Sequence, residues 1–333
     1  MIARGTGRGR VAIRGLLVLV VAALLAGCGL VSSSGTYRPA RLPDGAQPLD
    51  GADLTVVSKS FTEHVILGKI TATYLAAAGA TVTDMTGAPG SASGRQLLLD
   101  GTADVSWDYT GTAWQAYHAQ TEVVTDPQEL WQRVADLELQ QNDLVWLPPA
   151  DFNNTYAFAT SRSNADRLGV TTLSEVAALP VDERTFCIDD EFFSRSDGFR
   201  PMLDAYGMPY NKPDGVPQNN VTSMDTGVVY QATAVGNACN FGMVYTTDGR
   251  IKNLDLQVLE DDRGFFLPYN GAAIVGRETL EQYPQLRDLL GTITAKLTEP
   301  MLQQLNARVD IDGEDPADVA YDWLVAEHLV VPA

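Results

Sequence analysis

Four tyrosines stand at the ends of short β-branched runs, where a fold exposes side chains to a ligand, and not inside those runs. Tyr109 follows the run 103–107, Tyr156 follows Asn153-Asn154-Thr155, Tyr245 closes the run 240–245, and Tyr269 lies in Leu267-Pro268-Tyr269-Asn270. None has apolar neighbours at helical spacing, so a core stripe does not explain them. A single tyrosine at a loop is equally well explained as a ring half-buried with its hydroxyl in water. Only the set of four suggests a site.

Signatures of covalent chemistry are missing around them. Gly90-Ser91-Ala92-Ser93-Gly94 has the outline of a nucleophile elbow, but alanine occupies its centre. Neither a phosphate-binding glycine loop ending in Gly-Lys-Ser/Thr nor a His-Glu-x-x-His zinc motif occurs. His64, His118 and His328 lie far apart in sequence, and no Cys-x-x-Cys is present, so a zinc site is poorly supported. These absences argue against an enzyme and imply no cofactor.

The elements that must carry the tyrosines alternate. A strand is expected over 54–57, and Ser60-Phe61-Thr62-Glu63 fits a capping box ahead of a helix whose face repeats Ile66, Ile70 and Tyr74. Further strands are expected over 81–85, 103–107, 155–160, 185–188, 240–245 and 272–275. Helices are expected over 199–206 and 230–235, with three more after residue 258. Asp126-Pro127 and Asp315-Pro316 each supply an N-cap followed by proline in the first turn. This pattern predicts an α/β fold with mostly parallel strands, whose carboxyl-end loops hold the ligand.

The chain begins with Arg4, Arg8, Arg10 and Arg14, then an apolar run over 16–26, then Ala26-Gly27-Cys28. The run is short for a membrane span and reads as a signal peptide over 1–27. Its ending resembles a bacterial lipobox, which would make Cys28 the lipidated first residue of the mature protein. Residues 28–51, rich in Ser, Pro, Gly and Ala, read as a flexible tether. The chain has 23 basic and 42 acidic residues. Removing the four leader arginines leaves 19 against 42, a net −23, which disfavours nucleic acid and anionic membrane as partners. In an exported protein the pair Cys187 and Cys239 is expected to form a disulfide.

From Leu54 to the C-terminus the chain resembles the glycine betaine, carnitine and choline binding proteins of osmoprotectant ABC transporters. The matching stretches are Ser58-Lys59-Ser60-Phe61-Thr62-Glu63, Asp108-Tyr109-Thr110-Gly111-Thr112, Phe152-Asn153-Asn154-Thr155-Tyr156, Tyr245-Thr246-Thr247-Asp248-Gly249-Arg250-Ile251 and Leu259-Glu260-Asp261-Asp262. The resemblance implies a two-lobed periplasmic-binding-protein fold of type II with two crossings between lobes. Lobe one would be 52–154 plus 261–333, and lobe two 155–260. It implies a monomeric binding protein that delivers a quaternary ammonium solute to a membrane permease. Tyr109, Tyr156, Tyr245 and Tyr269 would form an aromatic cage, with Lys59, Thr112 and Arg195 at the solute's polar end. His64, at the edge of the expected pocket, replaces a glutamine common among relatives, and the loop at Gly90-Ser91-Ala92-Ser93 lacks the usual Gly-Thr-Thr run. The alternatives are a binding protein for an amino acid or aromatic compound, an exported enzyme, and a surface lipoprotein without a deep cleft.

Overall fold

A computed structural model describes residues 36–333, so the leader and Cys28 lie outside the described residues. Its strands are β1 (Ala40–Arg41), β2 (Asp53–Lys59), β3 (Thr81–Ala88), β4 (Val105–Tyr109), β5 (Leu144–Trp146), β6 (Tyr156–Ser161), β7 (Phe186–Ile188), β8 (Val221–Ser223), β9 (Phe241–Tyr245), β10 (Leu256–Leu259), β11 (Gly271–Gly276) and β12 (Val331–Pro332). Two five-stranded sheets result, in the orders β3-β2-β4-β11-β5 and β10-β6-β9-β7-β8. The first takes its strands from residues 53–146 and 271–276, the second from residues 156–259. The chain therefore passes between the sheets twice, once after β5 and once after β10.

The sheets are mixed, not mostly parallel. β2 runs parallel to β3 and β4, while β11 is antiparallel to both β4 and β5. In the second sheet β7 is parallel to β8 and β9, and β6 is antiparallel to β9 and β10. The cause is the double passage. β2, β4 and β9 end at the cleft, whereas β6 and β11 begin there, so each incoming strand must run against its neighbour. The register of Gly271 opposite Tyr109 and of Tyr156 opposite Tyr245 puts these turning points side by side.

Helix Thr62–Ala77 is buried on almost every side, since it lies under the first sheet and against helix Pro316–Ala326. The expected amphipathic stripe is thus only part of its buried surface. Its N-cap is Phe61, with no side-chain capping bond, so Ser60 and Glu63 form no capping box. Both Asp-Pro devices do cap: the Asp126 carboxylate accepts from the Glu129 N–H at 2.7 Å, and the Asp315 carboxylate from the Ala317 N–H at 2.8 Å. Four helices, not three, follow β11, because Pro284 interrupts the stretch between Arg277–Gln282 and Leu286–Thr294. The fold also begins earlier than expected. β1 pairs with β12, and Leu42 and Leu49 are buried in the core, so residues 40–49 form a strap on lobe one. Among the described residues no helix is long and apolar enough to cross a membrane.

Candidate functional site

The turning points of the two sheets bring the four tyrosines together. Tyr156 and Tyr245 are cross-strand neighbours with ring centroids 5.1 Å apart, and Tyr269 meets Tyr156 edge-on at 5.7 Å. Phe61 stacks on Tyr245 at 5.4 Å and reaches Tyr109 at 6.1 Å. Phe61, Tyr109 and Tyr269 come from lobe one, Tyr156 and Tyr245 from lobe two, so the aromatic wall spans the cleft. The cavity they enclose is completed by Lys59, Ser91, Thr112, Asn154, Glu191 and Arg195.

The tyrosines are not held alike. The Tyr109 hydroxyl donates to Glu63 Oε1 at 2.7 Å, and the Tyr269 hydroxyl to Asp197 Oδ2 at 2.7 Å. Glu63 also accepts from the side-chain amides of Asn154 (2.8 Å) and Asn306 (3.3 Å). Burial pushes the Glu63 carboxyl above its ordinary value despite these donors. Burial likewise drives the Tyr109 and Tyr269 hydroxyls well up, and the adjacent carboxylates add to it, so both rings stay neutral. The backbone N–H of Tyr245 donates to the Tyr230 hydroxyl at 2.9 Å, and the Arg250 guanidinium lies 4.1 Å from the Tyr230 ring centre. Asp248 accepts from Arg250 Nε at 2.9 Å, and a Cβ on Gly249 would stand 2.8 Å from the Gln303 carbonyl oxygen. The Asp248-Gly249-Arg250 motif thus seats Tyr245 and lets a lobe-one helix approach closely.

The charged groups at the polar end are already engaged with one another. Arg195 Nε donates to Asp197 Oδ1 at 2.7 Å, while Nη2 reaches Thr112 Oγ1 at 3.2 Å and Nη1 reaches Glu191 Oε1 at 3.3 Å. Lys59 Nζ is 2.6 Å from Asp108 Oδ1 and 5.4 Å from the Tyr109 ring centre. Lys59 and Asp108 are both buried. Lys59 thus lines the cavity with its charge matched by Asp108.

His64, expected at the edge of the pocket, sits behind its wall. It does not line the cavity; its ring packs behind Phe61 and Tyr109. Nδ1 accepts the Lys59 backbone N–H at 2.8 Å, and Nε2 lies 2.8 Å from the Trp107 carbonyl oxygen, which a neutral ring protonated on Nε2 satisfies. Burial, with Lys59 nearby, pulls its pKa down to about 3. It joins the ends of β2 and β4 as a structural pin.

Sequence reasoning did not single out Phe61, Ser91, Glu191, Asp197 or Glu63. Phe61 had a usable signal, its place in the loop at the carboxyl end of β2. Asp197 had none beyond lying two residues from Arg195. Cys187 and Cys239 form a disulfide, with Cα atoms 5.7 Å apart, tying β7 to the segment just before β9.

Two lobes on mixed sheets, joined by two crossings and enclosing an aromatic-walled cleft, define a two-lobed solute-binding protein. The chain belongs to the family described as the substrate binding domain of ABC-type glycine betaine transport systems, which matches residues 52–326. A glycine-betaine-binding protein of Pseudomonas aeruginosa is 39% identical over 286 residues, covering 83% of this chain and 88% of that one. An ergothioneine transport permease/ergothioneine binding protein of Helicobacter pylori is 30% identical over 278 residues, or 81% of this chain and 47% of that one. A solved structure of a glycine betaine/carnitine/choline ABC transporter protein superposes with a TM-score of 0.67 at 26% identity, covering 83% of this chain and 99% of that one.

Proposed function

We propose that this chain binds a quaternary ammonium solute, its cationic head against Tyr109, Tyr156, Tyr245, Tyr269 and Phe61, and its other end near Arg195 and Thr112. The observation that carries the reading is an aromatic wall built from both lobes, with a buried guanidinium at one end. A trimethylammonium group has no N–H to donate, so carboxylates cannot hydrogen-bond it. Aromatic faces attract its spread charge and cover its methyl groups, worth about 0.5–2 kcal/mol each when desolvated. Because the wall is split between lobes, a solute that touches all of it favours the closed arrangement. The closed form would be what a permease receives. A disulfide in lobe two suits an exported protein, and a lipid on Cys28 would hold a monomer at the outer face of the membrane.

Calorimetric titration with glycine betaine, choline, carnitine, ergothioneine and proline tests this. Tyr156→Leu and Tyr245→Leu should each weaken every quaternary ammonium solute by about 1–2 kcal/mol, roughly five- to thirtyfold. If both variants kept wild-type affinity for all such solutes, the cage would be wrong and the cargo of another chemical class.

A further inference from the structure

At the polar end of the cavity three donors converge on one oxygen of the protein itself. Glu191 Oε1 accepts the Ser91 hydroxyl at 2.6 Å, the Ser91 backbone N–H at 3.3 Å and Arg195 Nη1 at 3.3 Å. Ser91 lies in the first turn of helix Gly90–Leu99 in lobe one, whereas Glu191 sits on the short helix Asp190–Ser194 in lobe two. These bonds therefore bridge the cleft beside the aromatic wall. The seat is close-fitting: Gly90 has φ +72°, and a Cβ there would stand 3.0 Å from Glu191 Oε2.

A hydroxyl, a backbone N–H and a guanidinium aimed at one oxygen are the donor set that a free carboxylate requires. The occupant of the seat can also leave it. The Glu191 side chain is 37% exposed and can turn into water, whereas Asp197 is fully buried on Arg195 and Tyr269. If Glu191 swings out, Arg195 keeps Asp197 and Thr112, and only the bonds to Glu191 fall vacant.

We propose that Glu191 is a tethered competitor: its carboxylate holds the seat that the carboxylate of a zwitterionic quaternary ammonium solute takes, and such a solute binds by displacing it. This rests on the cage reading given above. A solute ending in a hydroxyl has no claim on the seat and leaves Glu191 in place, where its negative charge favours a cation. Glu191 thereby weighs the pocket against carboxylate-bearing solutes and towards purely cationic ones. A residue that merely latched the lobes together would act on both kinds of solute alike.

The test is titration of wild type, Glu191→Ala and Glu191→Gln with glycine betaine and with choline. In Glu191→Ala the preference for betaine over choline should rise about tenfold, the worth of one hydrogen bond to a charged group. Glu191→Gln should fall between, since its amide oxygen still accepts from Ser91 but attracts Arg195 less. A preference that changes by less than about threefold, or moves towards choline, overturns the proposal. A wild-type protein that binds none of glycine betaine, choline, carnitine and ergothioneine overturns the cage reading and this inference with it. Should the variants not fold, a structure of the wild-type betaine complex decides: Glu191 must have left Ser91, and a retained bond between them refutes the displacement.

Discussion

Replacing each of the four tyrosines by phenylalanine should divide them two against two. Tyr109 and Tyr269 donate their hydroxyls to the buried carboxylates of Glu63 and Asp197, each at 2.7 Å. Removing such a donor leaves a buried acceptor short of one charge-assisted bond, which costs about 1.5–3 kcal/mol. Glu63 would keep its two asparagine donors and Asp197 would keep Arg195, so neither variant should fail to fold. The hydroxyls of Tyr156 and Tyr245 have no such carboxylate partner, and their loss should stay within about 0.5 kcal/mol. For a chain of this size those losses amount to roughly 2–5 °C for Tyr109→Phe and Tyr269→Phe, and under about 1 °C for the other pair. The deficit of Tyr109→Phe should also grow as pH rises. Losing a donor to the charged form pushes the already raised Glu63 pKa further up, so the penalty is small while Glu63 is protonated and full once it ionises. Solute affinity should fall no more than about threefold in any of the four, because the ring faces remain. Thermal melts and titrations on the same preparations give both readouts. Tyr109→Phe and Tyr269→Phe melting with the wild type, or all four falling equally, would refute the reasoning.

The neutral, buried His64 should make stability acid-sensitive. Its folded pKa, about 3, lies below its unfolded value, about 6.5, so the unfolded chain binds the extra proton between them and stability is lost as pH falls. The slope approaches about 1.4 kcal/mol per pH unit once the pH is well below 6.5; Glu63, Asp189 and Asp310, raised by burial, pull the other way, so the histidine's share is read as the difference between wild type and variant. Denaturant melts of His64→Gln should show that slope gone; the same slope in the variant would count against the assignment. Opening the disulfide with Cys187→Ser and Cys239→Ser should destabilise the fold by about 4 kcal/mol, given a sequence separation of 52. Unchanged denaturation midpoints would contradict this. Cys28→Ala should release the protein from membranes or block its processing, and membrane association surviving a carbonate wash would argue against a lipid there.

What could be read in the sequence was what is local or strongly typed. The Asp126-Pro127 and Asp315-Pro316 caps depend on bonds spanning two or three residues, so their pattern sufficed. The tyrosines were visible because aromatic rings at strand ends lack a core explanation. The carboxylates beneath them were not. Ser60-x-x-Glu63 has the spacing of a capping box, but Glu63 turns inward to partners 46, 91 and 243 residues away, which no local pattern encodes. His64 reads as a pocket residue only through its sequence neighbours, whereas its own bonds run to the backbone of β2 and β4. Strand direction failed for a related reason: alternation of elements does not reveal that a strand enters its sheet from the cleft. The strap over 40–49 reads as a tether in the sequence because its two buried leucines are too few to show a period.

The placement of β11 inside the first sheet, between β4 and β5, sets an order for folding. Lobe two is a single uninterrupted stretch, with its disulfide internal to it, while lobe one needs residues 271–276 to fill the gap between β4 and β5. When the chain threads outwards from its N-terminus, everything lobe two requires has emerged before that strand arrives. The first lobe to be made is thus the last to be closed, held with two sheet edges unpaired until the insertion behind it is through. The final strand, β12, then pairs with β1 in a small sheet of its own, tying residues 331–332 to residues 40–41.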